Sequence, residues 1–218
     1  MSLLHKLKAK APRVVMKIMT RHVQIRYMSN PGKERWLAMK HLLRYLKVTS
    51  DVDLMYCKSG SSVQVESYVD SDYAWNKDSM KSTTAYQFLI NGNCVRWKSQ
   101  LQPVVTLFTA KAEYIVAIEA MKEGIWIQGL LKELHVFQGT ATLFFDRQSA
   151  IYLCKNLVFH DRTKHVDIKY HFIREKIIDG DINIAKISID DNLADCGTKV
   201  VTLGKFRLCV KLFGVDAT

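Results

Sequence analysis

The spacing of apolar and polar positions divides the chain into elements. From 34 to 49 (ERWLAMKHLLRYLKVT), Trp36, Met39, Leu42, Leu43 and Leu46 recur at helical spacing, while Lys40, Arg44 and Lys47 fall on other faces, predicting an amphipathic helix. After Thr49-Ser50-Asp51 the period changes. Residues 52–57 predict a short strand. Residues 64–70 predict another, with Val65, Ser67 and Val69 on one side and Glu66, Tyr68 and Asp70 on the other. Residues 83–91 and 93–99 predict two more, joined at Asn91-Gly92, a strong hairpin signal. The region 64–99 thus predicts a three-stranded antiparallel meander.

After a link at 101–108, a long helix is expected from about Thr109, its N-cap, to Leu134, with Tyr114, Ala117, Ile118, Met121 and Ile125 as its apolar stripe. Ala117, Ala120 and Gly124 share the face of Glu113 and allow close approach to a sheet. Residues 141–145 (ATLFF) predict a buried strand running into Asp146 and then a helix, RQSAIYLCKN. A polar, basic loop at 157–164 precedes an amphipathic helix at 165–178. A strand follows at 182–189, then a helix or turn at 190–198 and a short helix at 205–213. Residues 1–22 show little period. The order after the arm, β-β-β-α-β-α-α-β-α, predicts an α/β fold: a mixed sheet with helices on its faces.

Composition narrows the setting. No run of eighteen apolar residues occurs, so no membrane-spanning helix is expected. The basic start lacks the apolar segment of a secretory signal. Five widely spaced cysteines without a Cys-x-x-Cys pair argue against a disulfide scaffold or zinc knuckle, and fit a reducing, intracellular setting. The net charge of +11 is concentrated: residues 1–50 hold twelve Lys and Arg against one acid, Glu34, and the rest balances. Such an arm steers towards nucleic acid or forms a solvated helix face.

The candidate chemistry is acidic. Asp70 ends a strand, Glu113 lies near the start of the long helix, Asp146 sits between a strand and a helix, and Asp195 falls in the 190–198 segment. A strand followed by Asp and a helix places a carboxylate at the carboxyl edge of a sheet. Acids at such places act as a metal shelf or as ordinary solvated caps.

Longer strings decide more. RYMSNPGKERW, HLLRYLKVTSD, SYVDSDYAWNKDSMKSTTAY, VRWKSQLQPVVTLFTAKAEYI, FFDRQSAIYLCKN, FHDRTKHVDIKYHFIREKI and DNLADCGTKV occur in this order between about residues 25 and 215. In these strings the chain resembles the C-terminal region of the Pol polyprotein of copia-type LTR retrotransposons, the end of the reverse transcriptase followed by ribonuclease H. The resemblance implies a ribonuclease H-like mixed five-stranded sheet, three antiparallel strands then two more, flanked by helices and preceded by a basic helical arm. It implies a division into a truncated reverse transcriptase tail, 1–57, and a ribonuclease H-like domain, 58–218. The family's four acids fall on Asp70, Glu113, Asp146 and Asp195, with Asp72 a second choice for the first. Such a quartet would hold two Mg²⁺ or Mn²⁺ ions and cleave the RNA strand of an RNA/DNA hybrid. Arg147, Gln148, Arg162, Lys164, His165 and His171 are candidate phosphate or groove contacts; His165 and His171 equally suit helix-surface or capping positions. His160 stands in the same basic loop without an assigned role. The missing polymerase part is an expected partner; no membrane and no small-molecule cofactor are expected. No YxDD string occurs, so polymerisation by this chain is not expected.

The chain also departs from the family pattern. Trp75-Asn76 replaces a usual Gly-Asp, Ala85 a usual Gly, and Phe108, Ala110 and Lys111 a Ser/Thr-Thr-Glu-like helix start. Lys111 disfavours the helix dipole and is placed to pair with Glu113. Arg147 stands beside Asp146, and Gly197 replaces an apolar residue. The competing expectation is therefore a catalytically inactive remnant that binds nucleic acid or keeps only the fold. Arg147 or Lys111 standing among the acids, in place of a metal ion, is the feature that favours it.

Overall fold

The computed structural model describes residues 7–10, 32–50, 52–57, 62–73, 80–106, 108–137, 139–155 and 175–217. The elements are β1 (Leu7–Lys10), α1 (Lys33–Val48), β2 (Val52–Tyr56), β3 (Val65–Asp72), β4 (Thr83–Ile90) and β5 (Asn93–Leu101). They continue with α2 (Thr109–Glu133), β6 (Ala141–Phe145), α3 (Gln148–Lys155), β7 (Ile182–Lys186), a 3-10 turn (Ile189–Asp191), α4 (Asp195–Thr198), α5 (Leu203–Leu212) and β8 (Val215–Ala217). Of the helix expected at 165–178, residues 175–178 are helical and the others lie outside the described residues, as do Trp75 and Asn76.

The expected five-stranded mixed sheet is present, in the order β5-β4-β3-β6-β7. β3, β4 and β5 form the antiparallel meander. β6 runs parallel to both β3 and β7. Asn91 (φ 49°) and Gly92 (φ 74°) turn the β4–β5 hairpin; both dihedrals are positive, as a two-residue hairpin of primed type requires. β3 alternates as its sequence predicts, with Val65, Ser67 and Val69 buried and Glu66 and Tyr68 half-buried. β7 stops at Lys186 rather than Ile189, because Ser188 accepts from the Asp190 N–H and opens the 3-10 turn.

α2 lies across one face of the sheet. Ala117 and Ala120 are fully buried, and a Cβ on Gly124 would stand 3.2 Å from Ile182 Cδ1 and 3.3 Å from Phe88 Cε1. The small residues bring the helix onto Phe88, Leu143 and Ile182, which with Val69, Val116 and Met121 form the main core. The helix start differs from expectation. Phe108, in extended conformation, is the N-cap, no side chain caps it, and Thr109 is already helical.

A second, three-stranded sheet joins the two ends of the described chain: β2 pairs with β1 on one side and β8 on the other, antiparallel in both cases. Neither β1 nor β8 is signalled by its sequence. Leu54 of β2 packs with Leu89, Cys94, Leu193, Cys209 and Phe213 in a separate apolar cluster. α1 keeps Trp36 55% exposed, and Leu37, Leu43 and Val48 are exposed too. Among the described residues, no helix is long and apolar enough to cross a membrane.

Candidate metal centre

The parallel pairing of β3 and β6 builds the first half of the site. Val69 is opposite Phe145, so the next residues, Asp70 and Asp146, emerge side by side at the carboxyl end of β6. Asp195, first residue of α4, arrives from a distant part of the chain. Asn192, fully buried, pins it there: its Nδ2 donates to Val69 O at 3.1 Å, and its Oδ1 accepts from the Ala194 N–H at 3.1 Å. Ser99 on β5 donates to Gly197 O at 2.6 Å, and Thr198 Oγ1 donates to Asp70 Oδ2. Gly197 therefore serves through its carbonyl, where an apolar side chain would add nothing to this bond.

One carboxylate oxygen from each of Asp70, Asp146 and Asp195 lies within 4.8 Å of the others. Asp72, the second choice, is not among them. Glu113 comes from α2 beyond its first turn and is 4% exposed. It is close enough to act electrostatically on and with Asp146 and Asp70, but it stands outside the three-oxygen group. Its partner is not Lys111. Arg147 Nε lies 2.9 Å from Glu113 Oε1, and Ser149 Oγ donates to Oε2 at 3.3 Å. Arg147 thus faces Glu113, while Gln148 is exposed at the start of α3. Arg162, Lys164, His165, His171 and His160 lie outside the described residues.

Asp195, 2% exposed, is gripped by two lysines: Lys199 Nζ stands 2.8 Å from Oδ1, and Lys205 Nζ contacts Oδ2. Burial raises the Asp195 carboxyl, but the two ammonium groups outweigh it and hold it below the usual range. Asp70 is pushed up, first by burial and then by Asp195 and Asp146, against the Thr198 bond and Lys199. Burial likewise pushes Glu113 up to about 7, with Arg147 opposing and Asp146 adding. Asp195 keeps its charge, and Asp70 and Glu113 are the acids that resist ionising. Ala85, opposite Asp70 on β4, is fully buried in regular extended pairing, so no glycine is needed there.

These residues fit a metal. The donors are all carboxylate oxygens, the ligand type of hard divalent cations. Asp195 Oδ1 and Glu113 Oε1 are buried, and each faces a cation, Lys199 Nζ at 2.8 Å and Arg147 Nε at 2.9 Å. The three-carboxylate cluster can coordinate a divalent metal ion.

A pH dependence follows. A carboxyl raised in the fold adds stability below its unfolded value, and that contribution is lost as pH rises through the folded value. For Glu113 the window runs from 4.5 to about 7, and Asp70 acts in the same direction. Asp195 acts oppositely, losing its contribution only as pH falls below the ordinary carboxylate range. The metal-free chain is expected to lose stability from pH 4.5 to 8, by a few kcal/mol. Millimolar Mg²⁺ or Mn²⁺ is expected to restore most of it at pH 8. Thermal melts across that range, with and without the ion, measure both; a flat metal-free profile contradicts the burial argument.

The class is now defined: a mixed sheet in this order, with clustered aspartates at the end of its central strands, is a ribonuclease H-like fold. No protein-family model matches the chain. Over 192 residues, 88% of its length, it is 45% identical to the retrovirus-related Pol polyprotein from transposon TNT 1-94 of Nicotiana tabacum. It is 34% identical over 190 residues to that from transposon RE2 of Arabidopsis thaliana. Over most of its length the chain is homologous to copia-type retrotransposon Pol polyproteins. It spans only 14% and 13% of the length of these two relatives. Among solved structures it is similar to LC11-RNase H1 isolated from compost, at 15% identity and a TM-score of 0.47, over 62% of this chain and 92% of that one.

The residues that sequence reasoning missed are those that hold the acids: Asn192, Thr198, Ser99, Lys199 and Lys205. Asn192, Thr198 and Lys199 lie inside the string DNLADCGTKV. A search confined to acids passes over them.

Proposed function

We propose that this chain is the ribonuclease H part of a retrotransposon polyprotein, hydrolysing the RNA strand of RNA/DNA hybrids with Mg²⁺ or Mn²⁺. One observation carries the reading: three aspartate oxygens within 4.8 Å, from β3, the turn after β6 and α4, at the edge of a ribonuclease H-like sheet. Asp70, Asp146 and Asp195 would hold the ions, with Glu113 a fourth ligand once released from Arg147. Bound divalent ions supply an activated water and charge stabilisation on the leaving 3′ oxygen. The chain supplies the rest. Thr198 fixes the Asp70 carboxylate, and Asn192 and Ser99 fix the turn that carries Asp195. Arg147, freed from Glu113, and Gln148 would meet the phosphate backbone, with Arg162, Lys164, His165 and His171 extending the contact. Selection of a hybrid requires contacts to 2′-hydroxyls on one strand. The basic arm adds salt-dependent, sequence-independent attraction. The polymerase part of the polyprotein is the proposed partner of the arm, and an intracellular compartment, cytoplasm or nucleus, the proposed setting.

A second reading, a catalytically silent remnant, is favoured by the same arginine and lysines, which neutralise Glu113 and Asp195 from within the chain. The test is cleavage of a labelled RNA/DNA hybrid by the folded chain with Mg²⁺ or Mn²⁺. RNA-strand cleavage that EDTA abolishes supports the first reading. A folded chain that binds hybrid without cutting it leaves the second.

A further inference from the structure

Two lysines reach Asp195, and they are held differently. Lys205 is 15% exposed in its side chain; besides Asp195 it donates to Ile189 O at 2.5 Å. It stands in the first turn of α5, where the helix dipole disfavours a cation. Its backbone N–H is fixed by the Thr202 cap. Its two acceptors, Asp195 Oδ2 and Ile189 O, outweigh the dipole and keep it in place. Lys199 is 39% exposed, just past the end of α4. Among the described residues it meets one close acceptor, Asp195 Oδ1 at 2.8 Å, where Lys205 meets two. Asp70 and Asp146 act on the same ammonium group as well as Asp195. One partly exposed cation with a single close acceptor therefore faces all three clustered acids. Asp195, Lys199, Thr202, Gly204, Lys205 and Leu208 line an open cavity of about 490 Å³ beside it, room for the lysine to swing away.

We propose that Lys199 is an internal counter-cation, standing against Asp70, Asp146 and Asp195 in the metal-free chain and swinging into the adjoining cavity when a divalent ion binds. Lys205 stays and holds Asp195 in place. Lys199 is thus a positioning residue: it keeps three mutually repelling carboxylates together before the ion arrives. This rests on the metal-dependent reading above, and it adds a competitor built into the chain.

The test is Mn²⁺ binding by calorimetry to the wild-type chain, Lys199→Gln, Lys199→Arg and Asp70→Asn. Removing the competing charge is expected to tighten Mn²⁺ binding by about tenfold in Lys199→Gln. The same variant is expected to melt lower without metal at pH 8. Lys199→Arg, which keeps the charge, is expected to resemble the wild type in both. Lysine acylation followed by mass spectrometry needs no variant: Mn²⁺ is expected to raise labelling of Lys199 and leave Lys205 unchanged. Tight Mn²⁺ binding by the wild type with no gain in Lys199→Gln, or with Lys199 labelling unmoved by Mn²⁺, overturns this proposal alone. No Mn²⁺ binding by any folded variant overturns the metal reading, and this one with it.

Discussion

Asp70→Asn is expected to lower metal-dependent hybrid cleavage by about 10²-fold or more while raising the melting temperature of the metal-free protein. The two effects have one cause. Asp70 is buried, packed against Asp146 and Asp195, and its carboxyl resists ionising for both reasons. An ionised Asp70 therefore weakens the metal-free fold at neutral pH. Asparagine keeps the shape and can still accept the Thr198 hydroxyl bond, but it carries no charge. The relief is on the order of 1 kcal/mol, about 2–4 °C for a chain of this size. The same charge is what a divalent ion needs. Hybrid cleavage and thermal melts at pH 8 read the two effects separately. A variant that loses cleavage and stability together points to damaged packing. One that cleaves normally removes Asp70 from the site.

This opposition explains why part of the site was legible in the sequence and part was not. Asp70 lies two residues before the end of β3 and Asp146 directly follows β6, and both strands have a plain period, so their place near the sheet's edge follows from the pattern. The parallel register that makes them neighbours does not, because register is set by α2 and β6 packing across many residues. Glu113 was visible on the small-residue face of α2, yet its partner was misjudged. Lys111 is two residues away in sequence, and i,i+2 residues of a helix do not face each other. Arg147 reaches it from another element. Asp195 follows from the family strings, not from period: α4 has four residues, too short to show any. Asn192 reaches Val69 and Lys205 reaches Asp195 from another helix, contacts that leave no local trace, whereas Lys199 stands only four residues after Asp195.

The small sheet is harder still. β8 has three residues and β1 four, and each gains meaning only from β2 between them. Short strands lack the alternation that would reveal them. Yet this sheet bears on the metal centre. Leu193, in the cluster that Leu54 completes, is two residues before Asp195. The apolar contact and the Asn192 bonds thus support the same loop from two sides. The chain's early residues brace the acid that comes last in the sequence.

Leu54→Ala is therefore expected to destabilise the whole protein, by about 2–4 kcal/mol. Leu54 is 1% exposed, with Leu89, Cys94, Cys209 and Phe213 around it, so the cavity has little room to collapse. Its strand is held at both edges. Met55 N–H donates to Gly214 O at 2.7 Å, and Gly214 has φ +71°, with a Cβ there falling 2.7 Å from Met55 O. Cys57 exchanges two hydrogen bonds with the Asn93 side chain, tying β2 to the β4–β5 hairpin. We infer that the division at residue 57 marks the origin of the two parts and not a seam in their stability. A chain of residues 58–218 lacks β2 and leaves β8 unpaired, and it is expected to melt lower than the full chain by at least as much as Leu54→Ala does. Thermal melts of the three proteins at one pH decide it. If residues 58–218 melt with the full chain and Leu54→Ala changes nothing, the ribonuclease H-like unit stands without its arm, and Leu193 needs no brace from β2.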